Sequence, residues 1–228
     1  MDSKKLVKIL KNLYPDAKCS LDFQTPFELL VAVILAAQCT DERVNKVTPT
    51  IFKRLPQIED YIEINLLELE ELVHSCGFYK NKAKNIKECA KIILEKYDSN
   101  VPSEMDELLK LPGIGRKSAN VILLEAFNIP SGIAVDTHAK RISNRLGLTV
   151  SQDPVKIEQD LLDFFSIDQI RDINHLLMWH GRNLCIAQKP RCEICPLKKE
   201  CKYFINWVNN KIYKLYYIKQ NSKNLFNL

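Results

Sequence analysis

Apolar residues recur along this chain at helical spacing almost throughout. Ser3–Leu13 carries Leu6, Ile9, Leu10 and Leu13 on one face. Residues 26–37 are apolar nearly all round, which predicts a central buried helix. Thr40 or Asp41 caps the next segment, where Pro49 either interrupts a helix or begins a new turn. Residues 65–75 place Leu66, Leu69, Leu72 and Val73 on one side, and Gly77 ends that run. A further helix is expected over 82–97. After Pro130 a short extended link leads to helices near 137–146, 154–165 and 167–184. Gly147, Asp153-Pro154 and Ser166 mark their boundaries. No window shows sustained alternation of period two, so the fold class is all-α with no sheet.

One stretch stands apart from this pattern. Residues 108–127 read Leu-Leu-Lys-Leu-Pro-Gly-Ile-Gly-Arg-Lys-Ser-Ala-Asn-Val-Ile-Leu-Leu-Glu-Ala-Phe, and hold two of the six glycines. Ser103 with Asp106 is an S-x-x-D capping signal, so a helix starts near Glu104. Pro112 cannot continue it. Gly113 and Gly115 can take the positive φ angles of a tight reversal. A second helix starts near Arg116. Its apolar positions Ala119, Val121, Ile122, Leu124 and Phe127 leave few polar faces, so it should be buried. This is a helix, a glycine hairpin and a helix over 103–127. Free backbone N–H groups of Gly113, Ile114, Gly115 and Arg116 at a helix N-terminus can grip one phosphate without reading a base. The alternative is an ordinary αα-hairpin.

Charge narrows how nucleic acid can be held. The chain has 228 residues, with 33 Lys and Arg against 28 Asp and Glu, a net charge of +5. Residues 202–228 hold five lysines and no Asp, Glu or Arg, so this tail supplies the whole excess. A neutral body does not bind nucleic acid by bulk charge, and any contact must come from local features. The tail alternates lysine and asparagine with Trp207, Tyr213, Tyr216, Tyr217 and Phe226. It can stack on unpaired bases, pack as an extra helix or be disordered; packing ranks first. No apolar run approaches the length of a membrane span, and the N-terminus lacks the apolar core of a signal peptide. The expectation is a cytoplasmic protein.

Eight cysteines in such a chain suggest a metal rather than a disulfide scaffold. Cys19, Cys39, Cys76 and Cys89 are scattered in apolar surroundings and read as plain buried thiols. Cys185, Cys192, Cys195 and Cys201 are clustered. Their spacing alone permits tetrahedral zinc or a 4Fe–4S cluster.

The segment 111–120, followed by Ala-Val-Asp-Thr-His at 134–138, resembles the helix-hairpin-helix DNA glycosylase superfamily. Lys117 makes the chain similar to its bifunctional members, the endonuclease III family. Residues 25–41, Gly-Phe-Tyr-Lys-Asn-Lys-Ala at 77–83 and the clustered cysteines agree, so the resemblance covers roughly residues 1–203. It implies two all-α lobes: a six-helix lobe of about 19–131, and a second formed by 1–18 with 132–203, leaving 204–228 as the tail. The active site would lie in a cleft with Lys117 and Asp136 on facing walls. The four clustered cysteines would hold a structural 4Fe–4S cluster.

The resemblance also implies roles. Lys117 would attack the sugar C1′ of a flipped nucleotide; the local alternative is a lysine that only contacts phosphate. Partial burial, the helix N-terminus and Arg116 favour the neutral amine a nucleophile needs, and Asp136 opposes them. Asp136 would stabilise positive charge on the sugar, although local sequence makes it an N-cap. Gln38 and Phe78 would fill the gap left by the flipped base; Phe78 replaces an aliphatic residue, and it alternatively staples a helix end. Lys189, Arg191, Lys198 and Lys199 read as phosphate contacts or as solvated charge. The implied substrate is double-stranded DNA bearing oxidised pyrimidines or abasic sites, cleaved by β-elimination by a monomeric enzyme.

Three other readings compete. A monofunctional adenine glycosylase shares the hairpin and the cluster, but this chain has Lys117, and Val33 where that enzyme's catalytic glutamate falls. A non-catalytic helix-hairpin-helix DNA-binding protein would need neither Lys117 nor Asp136. An iron–sulfur redox sensor would explain the cysteines but not the hairpin.

Overall fold

The structure, a computed structural model, describes residues 2–209. Its regular elements are helical, and no strand occurs among the described residues. The chain divides into two compact units. One is Lys18–Ala134. The other combines the residues up to Ala17 with those from Val135 on.

The Lys18–Ala134 unit is built round α2 (Pro26–Ala36). Thr25 caps α2 by accepting from the Glu28 amide at 3.1 Å, and Pro26 occupies the first helical position, where no N–H is needed. Leu29, Leu30, Val31, Ala32 and Leu35 are wholly buried, as a helix apolar on every side requires. Val33 is buried there too. Around it lie α3 (Asp41–Arg54), α4 (Ile58–Glu63), α5 (Leu66–Val73), α6 (Tyr79–Tyr97), α7 (Met105–Leu108) and α8 (Arg116–Phe127). Thr40, not Asp41, caps α3, accepting from the Arg43 amide at 3.2 Å. Pro49 lies inside α3, and the helix runs through it at the loss of one backbone hydrogen bond. The apolar pattern alone does not show α4, a helix of only six residues.

Two residues at the entrance of α6 depart from expectation. The helix begins at Tyr79, three residues early, because Phe78 takes a left-handed conformation and serves as its N-cap. Lys82 then falls inside the helix and is 4% exposed. Its ammonium donates to the carbonyls of Leu35 and Cys76, each at 2.8 Å. A buried charge of this kind is tolerable only with such partners.

The other described unit contains α1 (Ser3–Leu13), α9 (Thr137–Leu146), α10 (Pro154–Phe164) and α11 (Ile167–Asn183). Both α1 and α9 pack against α11. Tyr14, just past α1, meets His180 of α11 with its hydroxyl 3.0 Å from Nδ1. His180 is buried, which pushes its pKa down to about 4, so the ring is neutral near pH 7. Gly181 lets α9 approach closely. A Cβ there would lie 2.7 Å from His138 Nδ1 and 2.8 Å from His138 Cβ. Residues 202–209 form a helical extension, with Phe204 and Trp207 stacked at 5.8 Å. This start of the tail is helical and mostly exposed; Tyr213, Tyr216, Tyr217 and Phe226 lie outside the described residues.

Gly181→Ala should therefore force α9 and α11 apart. The expected cost is about 1–3 kcal/mol, the usual penalty for overpacking. Denaturant unfolding of the variant against the parent protein measures it, and an unchanged midpoint would mean that the contact relaxes freely.

Candidate functional site

The hairpin is held from below by α6. Leu108, Leu111 and Ile114 are buried. The Leu111 amide donates to Leu108 O at 3.1 Å, and the Ile114 amide to Leu111 O at 3.1 Å. The Cys89 thiol donates to Pro112 O at 3.3 Å. Gly113 has φ +80 and lies directly over Asn85; a Cβ would come within 2.6 Å of Asn85 Nδ2. Position 113 therefore needs glycine for its backbone angle, and a side chain there would also have to displace the Asn85 amide.

Gly115 differs. It is the N-cap of α8, with φ -101 and ψ 176, an extended conformation open to any residue, and an added Cβ would meet nothing within 4 Å. Only Gly113 makes the positive-φ reversal expected of both. The expected set of free amides is also smaller, because Ile114 already donates within the loop. The amides of Gly113 and Gly115 have no acceptor among the described residues. Gly115, the N-cap of α8, makes no side-chain bond to the first turn, where the positive end of the helix dipole lies.

Lys117 is the second residue of α8 and is exposed, not partly buried as expected. Below it, Ala119, Asn120, Ile122, Leu123 and Leu124 anchor the helix in the core.

Asp136 is the N-cap of α9. Its Oδ1 accepts from the Ala139 amide at 2.7 Å, which fixes the carboxylate at the start of that helix. The capping role is thus present, and the half-buried side chain keeps a second oxygen for other work. Two arginines one turn apart brace the same helix. Arg141 donates to Gly181 O at 2.9 Å and Cys185 O at 3.0 Å. Arg145 donates to Ile186 O at 2.8 Å, Ala187 O at 2.9 Å and Cys185 Sγ at 3.4 Å. Both roles went unseen in the sequence; the only trace is their i, i+4 spacing on α9.

The four C-terminal cysteines line one cavity, together with Arg145, His180, Pro190 and Tyr203. None is in a disulfide. The Cys201 thiol donates to Arg145 O at 3.4 Å, and Cys195 Sγ lies 3.9 Å from His180 Nε2. Burial, and then the negative charge of neighbouring thiols, pushes Cys192 and Cys195 above the ordinary thiol range. A cationic centre would reverse that repulsion. Among the described residues no three His, Cys, Asp or Glu side chains are grouped to hold a single metal ion. The four thiols nonetheless line one cavity.

Other expected residues separate by environment. Gln38 and Phe78 are both exposed and both left-handed, with φ 55 and φ 49. Non-glycine residues in that region cost of order 1–3 kcal/mol, and such strain gathers at functional positions. Phe78 is 64% exposed, so it is not a staple for the helix end. Lys189, Arg191 and Lys199 are exposed. Lys198 is half-buried and donates to Glu193 O at 2.5 Å, so its charge stays within the loop. Cys76 and Cys89 are buried as expected, but Cys19 and Cys39 are only half-buried. No helix among the described residues is long and apolar enough to cross a membrane.

Gly115→Ala separates grip from fold. Alanine is a poor N-cap, so a loss of about 0.5–1 kcal/mol is expected. Its methyl group would stand where a phosphate must approach. Duplex DNA affinity at fixed salt should fall by more than the stability does, and unchanged affinity would refute the phosphate grip.

Comparison with known proteins agrees with this geometry. Residues 31–166 match the HhH-GPD superfamily base excision DNA repair protein family. Endonuclease III of Synechocystis sp. is 52% identical over 196 residues, covering 86% of this chain and 90% of that protein. Among solved structures, a non-covalent Endonuclease III–DNA complex superposes with a TM-score of 0.85 at 41% identity, covering 90% of this chain and 96% of the other. A trapped Endonuclease III–DNA covalent intermediate, with estranged adenine, matches with the same values. The uncapped hairpin helix with Lys117 in its first turn, the Asp136 cap and these relatives agree: the chain belongs to the endonuclease III family of helix-hairpin-helix base excision repair proteins.

Proposed function

We infer that this protein is a bifunctional DNA glycosylase and abasic-site lyase of base excision repair, and that Lys117 is its nucleophile. The observation that carries the reading is an exposed primary amine in the first turn of a helix whose N-terminal amides are uncapped. Those amides hold a phosphate of the DNA backbone, which sets the amine beside a deoxyribose. The covalent protein–DNA intermediate trapped in a relative supports a protein nucleophile.

The reaction follows from the groups present. The damaged nucleotide leaves the base stack. Gln38 and Phe78, already exposed on strained backbone, fill the space it vacates. Lys117 Nζ attacks C1′ and the base departs. Asp136, held at the start of α9, stabilises the positive charge that develops on the sugar. The nitrogen and C1′ then share a Schiff base. Loss of a C2′ proton breaks the strand on the 3′ side by β-elimination, and water releases the lysine. No cofactor is consumed. The substrates are oxidised or ring-reduced pyrimidines, such as thymine glycol, and abasic sites in double-stranded DNA. A single chain supplies every group named, so the protein acts as a monomer, in the compartment that holds the DNA. The exposed Lys189 and Arg191 add phosphate contacts.

Cys185, Cys192, Cys195 and Cys201 would hold a 4Fe–4S cluster. Four sulfur donors round one cavity fit it, and the cluster's contribution is to cross-link a loop with little core of its own. Val33, buried in α2, leaves no carboxylate for the adenine-glycosylase alternative at that position.

Two substitutions test the assignment on a duplex with one abasic site and one with thymine glycol. Lys117→Gln should bind both yet lose strand cleavage by roughly a thousandfold or more, the scale on which losing a nucleophile acts. Asp136→Asn retains a good N-cap residue. It should melt close to the parent protein while base excision falls sharply. Substantial cleavage by Lys117→Gln, or a collapsed melting point with full residual activity in Asp136→Asn, would overturn the respective role.

A further inference from the structure

Two cysteines outside the C-terminal cluster sit beside the two strained residues. Cys39 directly follows Gln38, and Cys76 precedes Phe78 by two positions. The buried Lys82 ammonium ties the two segments together. It donates at 2.8 Å to Leu35 O, near the end of the helix that leads into Gln38, and at 2.8 Å to Cys76 O, in the turn that leads into Phe78. Beside this anchor Cys39 and Cys76 are neighbours: each thiol lies near enough to act on the other, and both act on the Lys82 ammonium. Cys76 is 2% exposed, while Cys39 is half-buried and the more accessible of the two. Burial pushes the Cys76 thiol up to about 11, so it is protonated at rest. Both are free thiols. The glycosylase reaction uses neither.

We propose that Cys39 and Cys76 are a redox modification site, closing to a disulfide by exchange with a low-molecular-weight disulfide, and that closure withdraws Gln38 and Phe78 from lesion DNA. The second part rests on the reading of those two residues as fillers of the vacated stack. The exchange balances in two steps. Cys39, the accessible sulfur, loses its proton and attacks one sulfur of the small disulfide. The S–S bond of the reagent breaks, and the departing thiolate takes up a proton. Cys76 then gives up its proton and attacks the Cys39 sulfur of the mixed disulfide. A second small thiolate leaves and is protonated. Two protein thiols are oxidised and one small disulfide is reduced to two thiols.

Geometry makes the event consequential. An S–S bond is about 2.05 Å long, shorter than any thiol–thiol hydrogen bond. Closure must draw the two segments together across the Lys82 anchor. Gln38 and Phe78 hold positive φ angles that depend on the present course of those segments. Neither can keep its presentation while a neighbour one or two residues away is pulled inward.

The experiment uses the full chain with its cysteine centre intact. The protein is incubated air-free with oxidised glutathione, alkylated, digested and mapped by mass spectrometry; affinity for a lesion duplex is measured before and after dithiothreitol. The expected result is a peptide pair joined through Cys39 and Cys76, with at least a tenfold loss of lesion affinity that dithiothreitol restores. Cys39→Ser should bind like the reduced protein and ignore oxidised glutathione. Glutathione retained on Cys39 with no linked pair, or a linked pair with unchanged affinity, overturns the proposal. Phe78→Ala in the reduced protein separates the two claims. If it keeps full lesion affinity, the role of Phe78 fails whether or not the bond forms.

Discussion

An uncapped helix N-terminus is the constraint on which the hairpin depends. Most helices in this chain begin with a side chain that accepts from the first turn: Asp2, Thr25, Thr40, Asn65, Asp136 and Asp153 all do so. The helix that carries Lys117 begins with Gly115 and has none. Its open amides are a cost in the free protein and an advantage beside an anion. The rest of the unit keeps that start rigid. Leu108, Leu111 and Ile114 anchor the loop in the core, Cys89 bonds to Pro112 O, and Gly113 closes on Asn85 without a side chain between. On the proposed reading, a body whose charges balance outside the tail holds a phosphate at a chosen place without a field of surface lysines.

The second unit meets the same need for rigidity by other means. There the proposed functional group is a carboxylate, and a cap serves it directly: the bond from the Ala139 amide fixes Asp136 at one oxygen. The helix behind it buries Ala139, Ile142 and Leu146 and is braced as well. Arg141 and Arg145 reach the carbonyls at the end of α11 and at the start of the cysteine loop, and Gly181 removes the side chain that would hold α9 away. Arg145 also covers the Tyr203 ring at 4.7 Å. The cysteine centre and the Asp136 helix are thus parts of one braced assembly. The proposed cluster would act on activity through this brace without touching DNA.

Much of this was legible in the chain. The longer helices followed from apolar spacing and capping residues, because burial of one face dominates their energetics. The hairpin followed from Pro112 and the paired glycines, and the gathering of four cysteines round one cavity from their spacing. What escaped depends on tertiary contact. Lys82 reads as a surface lysine, yet two carbonyls on other segments make its burial tolerable. Gly115 reads as a twin of Gly113, but only contact with Asn85 and a positive φ distinguish them. Ile114 loses its free amide to Leu111 in a turn whose bonding the sequence does not encode visibly. The α4 helix is too short for periodicity to reveal. Phe78 reads as a staple or a wedge, and only its exposure decides against the staple.

The account's central claim is that the Lys117 amine becomes covalently joined to C1′. Borohydride reduces a Schiff base to a stable amine, so the most direct measurement is to let the protein react with thymine-glycol duplex, reduce with borohydride, digest and map the attachment site. The account predicts a protein–DNA adduct on the peptide that contains Lys117, through its side-chain nitrogen. An adduct on a different amine, or complete base excision with no adduct, would contradict it.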